Sequence, residues 1–389
     1  MSPASDLSDT LARYERFLAA DPDNTDLLRQ ASDLALRTGD PAQARLHLER
    51  ARSLAPDDPA LLAQLGLMEL SQNNPAAANA IHQELLERGL DAPALRHNLA
   101  YGLSLVGRFA EAAEVLRDAA AMESAVPGIT SLRIRALHFE GQVEQAIEEA
   151  RQHLETHADD AQVLGQLSTL LIDRGDYEGA RAAAAAAESV APGHPDALVT
   201  LGSLALAEQE DGEAERVFAQ AVAGNPRSGR GWAGRGMAAL LRRDLGMAEQ
   251  MFGEALRNMP GHIGTWHALA WTQICNKDPA AAQASLERSM ELDRNFSETF
   301  GGLAVVALMR GQLGEARELI RRALGLNPQS ISGRFAQSLL MQARNRPEVA
   351  RKIMDGILSA AVLPFGKTIG QAIVQYQQKE GGTSSGSQH

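Results

Sequence analysis

Residues 229–262 read GRGWAGRGMAALLRRDLGMAEQMFGEALRNMPGH, and residues 263–296 read IGTWHALAWTQICNKDPAAAQASLERSMELDRNF. Laid one above the other, the two segments agree in kind more than in identity. Trp232 stands over Trp266, Gly236 over Ala270, Ala248 over Ala282 and Phe252 over Leu286. The match extends in both directions. Alanine recurs every 34 residues at Ala44, Ala78, Ala112, Ala146, Ala180, Ala214, Ala248, Ala282, Ala316 and Ala350, without insertion or deletion. Were one residue in five alanine, ten successive hits would arise about once in ten million placements. A period of this length signals stacked supersecondary units, none of which buries its apolar faces alone.

With that alanine set at position 20, repeats begin at 25, 59, 93, 127, 161, 195, 229, 263, 297 and 331. Position 8 is small at Ser32, Gly66, Ala100, Ser168, Gly202, Gly236, Ala270, Ala304 and Ser338. Position 4 is large at Leu28, Leu62, Leu164, Leu198, Trp232, Trp266 and Phe300, and position 24 at Leu48, Leu116, Phe218, Phe252, Leu286, Ile320 and Met354. Proline marks position 32 at Pro56, Pro192, Pro226, Pro260 and Pro328. Each repeat thus carries two apolar stripes at helical spacing, parted by a turn such as RTGDP (37–41) or MRGQL (309–313). The small residues bring the two helices close, and the large ones fill the gaps between them.

This pattern resembles the tetratricopeptide repeat family, whose 34-residue helix–turn–helix has large, small, small and proline residues at these positions. The resemblance covers residues 25–364 and implies an all-α, right-handed superhelical solenoid of ten repeats. Residues 1–24, with DLSDTLARYERFLAA at 6–20, then form an N-terminal capping helix. Residues 365–378 form a closing helix with Phe365, Ile369, Ala372, Ile373 and Tyr376 on one face, and the Gly/Ser-rich stretch 379–389 a disordered tail. Repeat 127–160 departs most from the pattern. It has Arg133 and Ile134 where apolar and small residues are expected, and His153 in place of alanine. Two readings are open there: a slipped helix that still packs, or a bend in the spiral.

Composition narrows the function classes. Cys275 is the only cysteine among 389 residues, which rules out an intrachain disulfide or a cysteine-based metal site. The opening MSPASDLSDT has no basic n-region or apolar core of a signal peptide, and no stretch approaches the length of a transmembrane helix. A cytoplasmic protein is expected, and the excess of arginine over lysine hints at a GC-rich bacterial genome. The formal charge of −12 divides unevenly, −19 over residues 1–225 and +7 over 226–389. That asymmetry reads either as solvated helix faces or as two regions meeting partners of different charge.

Motifs that resemble catalytic or cofactor sites do not hold up. GRGWAG (229–234) matches a dinucleotide fingerprint in letters, but it lies at positions 1 to 6 of an ordinary repeat with no strand before it. AVLPFGKT (361–368) has Ala361 where a phosphate loop needs glycine. His153 and His157 are spaced for a surface metal pair but lack a third ligand. The expectation is a chain that is not an enzyme and carries no cofactor or metal.

In proteins of the resembling family, the first helix of each repeat lines a concave groove through positions 2, 5, 6, 9, 12 and 13. Carried onto this sequence, that rule gives a polar stretch with Arg29, Arg37, His97, Asn98, Tyr101, Arg135 and His138. It also gives an apolar stretch with Val199, Leu206, Met237, Leu240, Leu241, Trp271, Ile274, Cys275, Val305, Leu308, Met309, Phe335 and Leu339. At on the order of 50 Å² each, the apolar set exposes about 650 Å², more than a soluble monomer usually leaves bare. The opposing reading is that curvature presses these residues against adjacent repeats as core. The resemblance therefore implies a scaffold, adaptor or assembly chaperone that binds a helical or extended segment of another protein. A self-associating element and a targeting subunit of a separate enzyme are the alternatives. Nucleic acid is a poor partner for so acidic a chain, and the lysine, asparagine and arginine of a two-carboxylate clamp are never assembled across consecutive repeats.

Overall fold

The computed structural model describes residues 3–360, 368–371 and 374, those before Leu7 by their backbone alone. The chain divides into two compact units, Met1–Ala158 and Asp159–His389. The first holds α1 (Pro3–Ala20), α2 (Thr25–Arg37), α3 (Pro41–Leu54), α4 (Pro59–Ser71), α5 (Pro75–Glu87), α6 (Pro93–Leu105), α7 (Phe109–Val115), α8 (Ala119–Met122), α9 (Ile129–Phe139) and α10 (Val143–Thr156). The second holds α11 (Ala161–Arg174), α12 (Tyr177–Val190), α13 (Pro195–Ala207), α14 (Asp211–Gly224), α15 (Gly229–Leu241), α16 (Leu245–Asn258), α17 (Ile263–Cys275), α18 (Pro279–Leu292), α19 (Ser297–Met309), α20 (Leu313–Leu326), α21 (Ile331–Ala343) and α22 (Pro347–Leu358). Among the described residues every one of these elements is an α-helix, and they pack in consecutive pairs.

Local chemistry sets where the helices begin. The side chains of Asn24, Asp58, Asp160, Ser228 and Ser330 accept from backbone amides in the first turns of α2, α4, α11, α15 and α21. Asp40, Asp176, Asp244 and Asp278 do the same for α3, α12, α16 and α18. Between the two helices of a repeat, position 15 has left-handed backbone in all ten. Gly39, Gly107, Gly141, Gly175 and Gly311 occupy it in five, and Asn73, Gln209, Arg243, Lys277 and Asn345 in the others, the latter with φ between 58 and 61°. A residue with a Cβ strains there, so the turn geometry is imposed by the packing on either side.

That packing is a matter of shared volume. The ten repeat alanines are all buried, nine of them with no exposed surface. Positions 8 and 24 face each other across a repeat and their sizes trade off. Where position 8 is glycine, position 24 is a ring: Gly66 with His82, Gly202 with Phe218, Gly236 with Phe252. A Cβ at Gly202 would lie 2.8 Å from the Phe218 ring, and one at Gly234 of the next repeat 2.3 Å from it, so the ring is clamped between two glycine helices. Where position 8 carries a side chain, position 24 is Leu48, Leu116, Ala184, Leu286, Ile320 or Met354.

Repeat 127–160 obeys the same rule in reverse, and this resolves its departure. Ile134 at position 8 and Ala150 at position 24 are both fully buried, a large and a small residue exchanged. Its first helix α9 starts at Ile129 rather than 127, after Gly128 in left-handed conformation. The helical break falls one element earlier, where the second helix of repeat 93–126 is split into α7 and α8. Arg133, one of the residues that set this repeat apart in the sequence, is a buried anchor: it donates to Glu149 at 2.7 and 2.9 Å and to the Ala113 carbonyl. Of the closing segment 365–378, only 368–371 and 374 are described. There Thr368 and Gln371 exchange backbone-to-side-chain bonds as a helix-opening capping box. Residues 379–389 lie outside the described residues.

Two consequences are measurable. Gly202→Ala overpacks the Phe218 ring and lowers unfolding stability by about 1–3 kcal/mol, whereas adding Phe218→Leu recovers part of the loss. Chemical denaturation of the two single variants and the double variant checks the coupling. The second consequence concerns His82 and His267, which burial pushes down to about 4. Each is neutral when folded and takes up a proton readily when unfolded. Stability is therefore complete above about pH 6.5 and lost as pH falls towards 4, by on the order of 3 kcal/mol for His82. Neither ring nitrogen of His82 has a hydrogen-bond partner among the described residues, so His82→Leu flattens the acid limb. Urea midpoints at pH 7 and pH 4.5 measure it.

Candidate interaction site

Among the described residues, a hollow lies along first helices in each compact unit. The hollow in the second unit measures 340 Å³ and runs along three successive first helices, α11, α13 and α15. Its walls are Thr169, Ile172 and Asp173 from α11, Val199, Thr200, Ser203 and Leu206 from α13, and Arg230, Ala233, Gly234 and Met237 from α15. All eleven fall at positions 2, 5, 6, 9, 12 or 13 of their repeats. Phe218, Met259 and His262 complete the lining. Helix period explains the set, since these positions fall on one face of a helix with 3.6 residues per turn.

The surface of this hollow is mixed in chemistry. Met237 is 38% exposed and Leu206 half-buried, while Ser203 and Thr169 turn their hydroxyls back onto the carbonyls of Val199 and Gln166. Arg230 and Asp173 pair at 3.7 Å, linking α15 to α11 past the intervening α13. Burial first, and the Arg230 charge second, hold the His262 imidazole below its ordinary range. Neutral at pH 7, its Nδ1 accepts from the Thr265 amide at 3.1 Å and so caps α17. Arg230, Met259 and His262 were not among the residues expected from the sequence. The last two come from the end of a repeat, where the first-helix rule does not look.

The hollow in the first unit measures 570 Å³, with charged side chains on one wall and apolar ones on the other. Arg29, Gln30, Asp33 and Arg37 of α2 face Ala60, Ala63, Gln64 and Leu67 of α4, with Thr10 and Tyr14 of α1 at the edge. Arg29 reaches Asp26 at 3.8 Å and Arg37 reaches Asp33 at 3.6 Å, loose pairs that leave both guanidiniums open to solvent. The other polar residues of the expected groove lie further along the unit. His97 Nδ1 is 3.4 Å from Asn98 Oδ1, Tyr101 and Arg135 are exposed, and His138 stacks on Phe139.

The apolar set expected from sequence divides into three groups. Val199, Leu206 and Met237 line the hollow, although Val199 is only 7% exposed and offers little more than an edge. Leu240 packs with Trp266 beside Phe252, Leu241 is half-buried, and Met309 and Cys275 are exposed. Trp271, Ile274, Leu308, Phe335 and Leu339 form one cluster around Val305, itself 2% exposed. Trp271 meets Phe335 edge to face at 5.7 Å. Val305 is therefore core, and these five neighbours are half-buried against the cluster it belongs to. The 650 Å² expected of a bare patch is corrected downward accordingly. Adjacent first helices approach closely enough here to do this because Gly301 meets the backbone of Ser332 and Gly333, where an added Cβ would lie 2.4 Å away.

Sites considered for other chemistry have structural roles. The glycines of GRGWAG are packing contacts at the start of α15: Gly229 against Met259, Gly231 against Val222, Gly234 against Phe218. Apart from Thr368, AVLPFGKT lies outside the described residues. His153 and His157 stack ring on ring at 4.4 Å and do not converge on a shared point. Among the described residues no three His, Cys, Asp or Glu side chains are grouped to hold a metal ion, and no helix is long and apolar enough to cross a membrane. Since Trp271 is bound into a cluster, Trp271→Ala lowers unfolding stability by about 2 kcal/mol. A thermal melt reports the loss whether or not a partner is present.

Comparison with known proteins adds the family. Two sequence models, both described as tetratricopeptide repeat, match residues 4–68 and 171–237 in one case and 267–331 in the other, together just over half of the chain. No curated protein matches the sequence. Among solved structures, the APC/C hetero-tetramer Cut9–Hcn1 aligns with a TM-score of 0.57 at 16% identity, over 87% of this chain and 66% of that one. The chain thus spans slightly less than two thirds of that neighbour. The pilF protein of Pseudomonas aeruginosa aligns with a TM-score of 0.43 at 20% identity, over 51% of this chain and 90% of that one. A tetratricopeptide repeat protein from Parabacteroides merdae aligns with a TM-score of 0.43 at 19% identity, over 64% and 98%. With its unbroken 34-residue period, paired helices and matching repeat models, this chain belongs to the tetratricopeptide repeat family.

Proposed function

We propose that this chain is a non-catalytic interaction protein that seats a segment of another protein along the hollow formed by α11, α13 and α15. The observation that carries the reading is the composition of that wall. Three consecutive repeats contribute one continuous face, so the hollow is a length of groove and not an isolated pit. A thioether, a leucine edge, hydroxyls and an ion pair together suit a partner with alternating apolar and polar side chains. An adaptor or assembly chaperone fits this description. The charged side chains Arg29 and Arg37 beside the other hollow contribute orientation and encounter rate more than affinity. The family and its fold are typically non-catalytic, and a groove open to water gives little of the preorganised, desolvated setting that catalysis uses.

Met237 is the residue to test, because its exposed thioether is removable without opening the core. Met237→Asp weakens capture of the partner segment by about tenfold while the circular dichroism spectrum is unchanged. A photo-crosslinking residue at 237 captures the partner from native lysate, and one at the exposed Arg257 does not. Equal crosslinking from both positions refutes the groove assignment. Crosslinks from 237 only to a second copy of the chain establish self-association instead.

A further inference from the structure

A second set of contacts, independent of the groove, joins several repeats to the next within each compact unit. In five repeats the residue after the repeat alanine, at position 21, bonds to the following first helix or the turn just after it. Arg181 donates to Glu208 at 2.8 Å, and Arg235 donates to Glu215 at 2.8 and 3.0 Å. Glu249 accepts from Gln273 at 3.0 Å and Asn276 at 3.3 Å, and Arg310 donates to Gln283. In the first unit Arg45 donates to Glu69 at 2.8 Å and Gln72 at 2.6 Å. Four of these pairs share one register, 27 residues apart: Arg45 with Gln72, Arg181 with Glu208, Glu249 with Asn276, and Gln283 with Arg310. Within the second unit the rungs run unbroken from repeat 161 to repeat 297.

The next pair at that register is Arg317 and Arg344, two cations where the four pairs just named set a donor against an acceptor. Both are exposed, and among the described residues neither side chain has an ion-pair or hydrogen-bond partner. Arg346, Arg351 and Lys352, in the turn before α22 and on it, are exposed and unpaired in the same sense. Residues 313–358 carry eight basic and four acidic side chains, and Glu318 is already engaged by Arg321. We propose that an acidic peptide segment of a protein partner closes this open rung, its Asp or Glu carboxylates bridging Arg317 and Arg344, with Arg346, Arg351 and Lys352 as flanking charge. The chain itself names the chemistry, since the side chains of Glu69, Glu208, Glu215 and Glu249 complete the earlier rungs. The groups that complete the earlier rungs are side-chain carboxylates rather than phosphates, which favours an acidic peptide over a nucleic acid. Position 14, where Arg344 stands, is outside the set that lines the groove, so this surface is separate from the one proposed above.

Fluorescence anisotropy of a short labelled polyglutamate peptide against the full chain at low ionic strength tests the assignment. The peptide binds, and added salt weakens it. The double variant Arg317→Gln/Arg344→Gln weakens binding by about threefold to tenfold. Arg344→Glu, which completes the rung internally, does the same and raises the unfolding midpoint. Arg52→Gln on α3 and Met237→Asp in the groove leave peptide binding as it was. Four results overturn the proposal: no binding by the unaltered chain, equal binding by the double variant, loss of binding in Met237→Asp, or tighter binding of an oligothymidylate through the same two arginines. A fifth is self-association of the chain, seen by sedimentation and abolished by the double variant, since the occupant is then a second copy.

Discussion

One shared space decides this architecture. Across the repeats the residues at positions 8 and 24 trade size, and in none are both large. Gly202 yields to Phe218, Gly236 to Phe252 and Gly66 to His82, and in repeat 127–160 the order is turned round with Ile134 and Ala150. Close-packed interiors tolerate volume-conserving exchange far better than a change of total volume. The alanine at position 20 is the complement of this arrangement. It is buried in every repeat, and in nine of the ten it has no exposed surface into which a larger side chain could extend.

Polar contacts between repeats play a different part. The rungs from position 21 are mostly half-exposed, so each contributes little to stability, on the order of 0.2–1 kcal/mol. Their value is in register: a donor in one repeat meets an acceptor in the next only if the helices are stacked without slippage. Apolar packing drives the stacking, and the rungs penalise a wrong offset. Arg133 is the exception by burial. Its bonds to Glu149 and the Ala113 carbonyl tie α9 to α10 and α7 where the neighbouring helix is broken. Removing either partner there leaves a charge stranded in the interior.

Much of this was legible in the sequence because the period is undisturbed. Once the alanines were aligned, the repeat starts, the two apolar stripes, the small residue at 8 and the turn between the helices followed from the pattern. Depth was not legible. Position alone puts Trp271, Val305 and Phe335 on the same face as Met237, yet Gly301 lets its neighbouring helix come so close that the first three become packing while Met237 stays open. Nor was pairing across repeats legible. Arg230 finds Asp173 two repeats away, and the break between α7 and α8 has no counterpart in the position-by-position pattern.

The left-handed residue at position 15 explains why the period never drifts. With the backbone reversed at that one place in all ten turns, the second helix starts two residues later at a constant phase. One extra residue between turn and helix would rotate every following side chain by about 100° about the helix axis. The alanine would swing out to solvent and a charged neighbour would take its place. A chain of this kind therefore lengthens or shortens by whole repeats, and point insertions survive only at its ends.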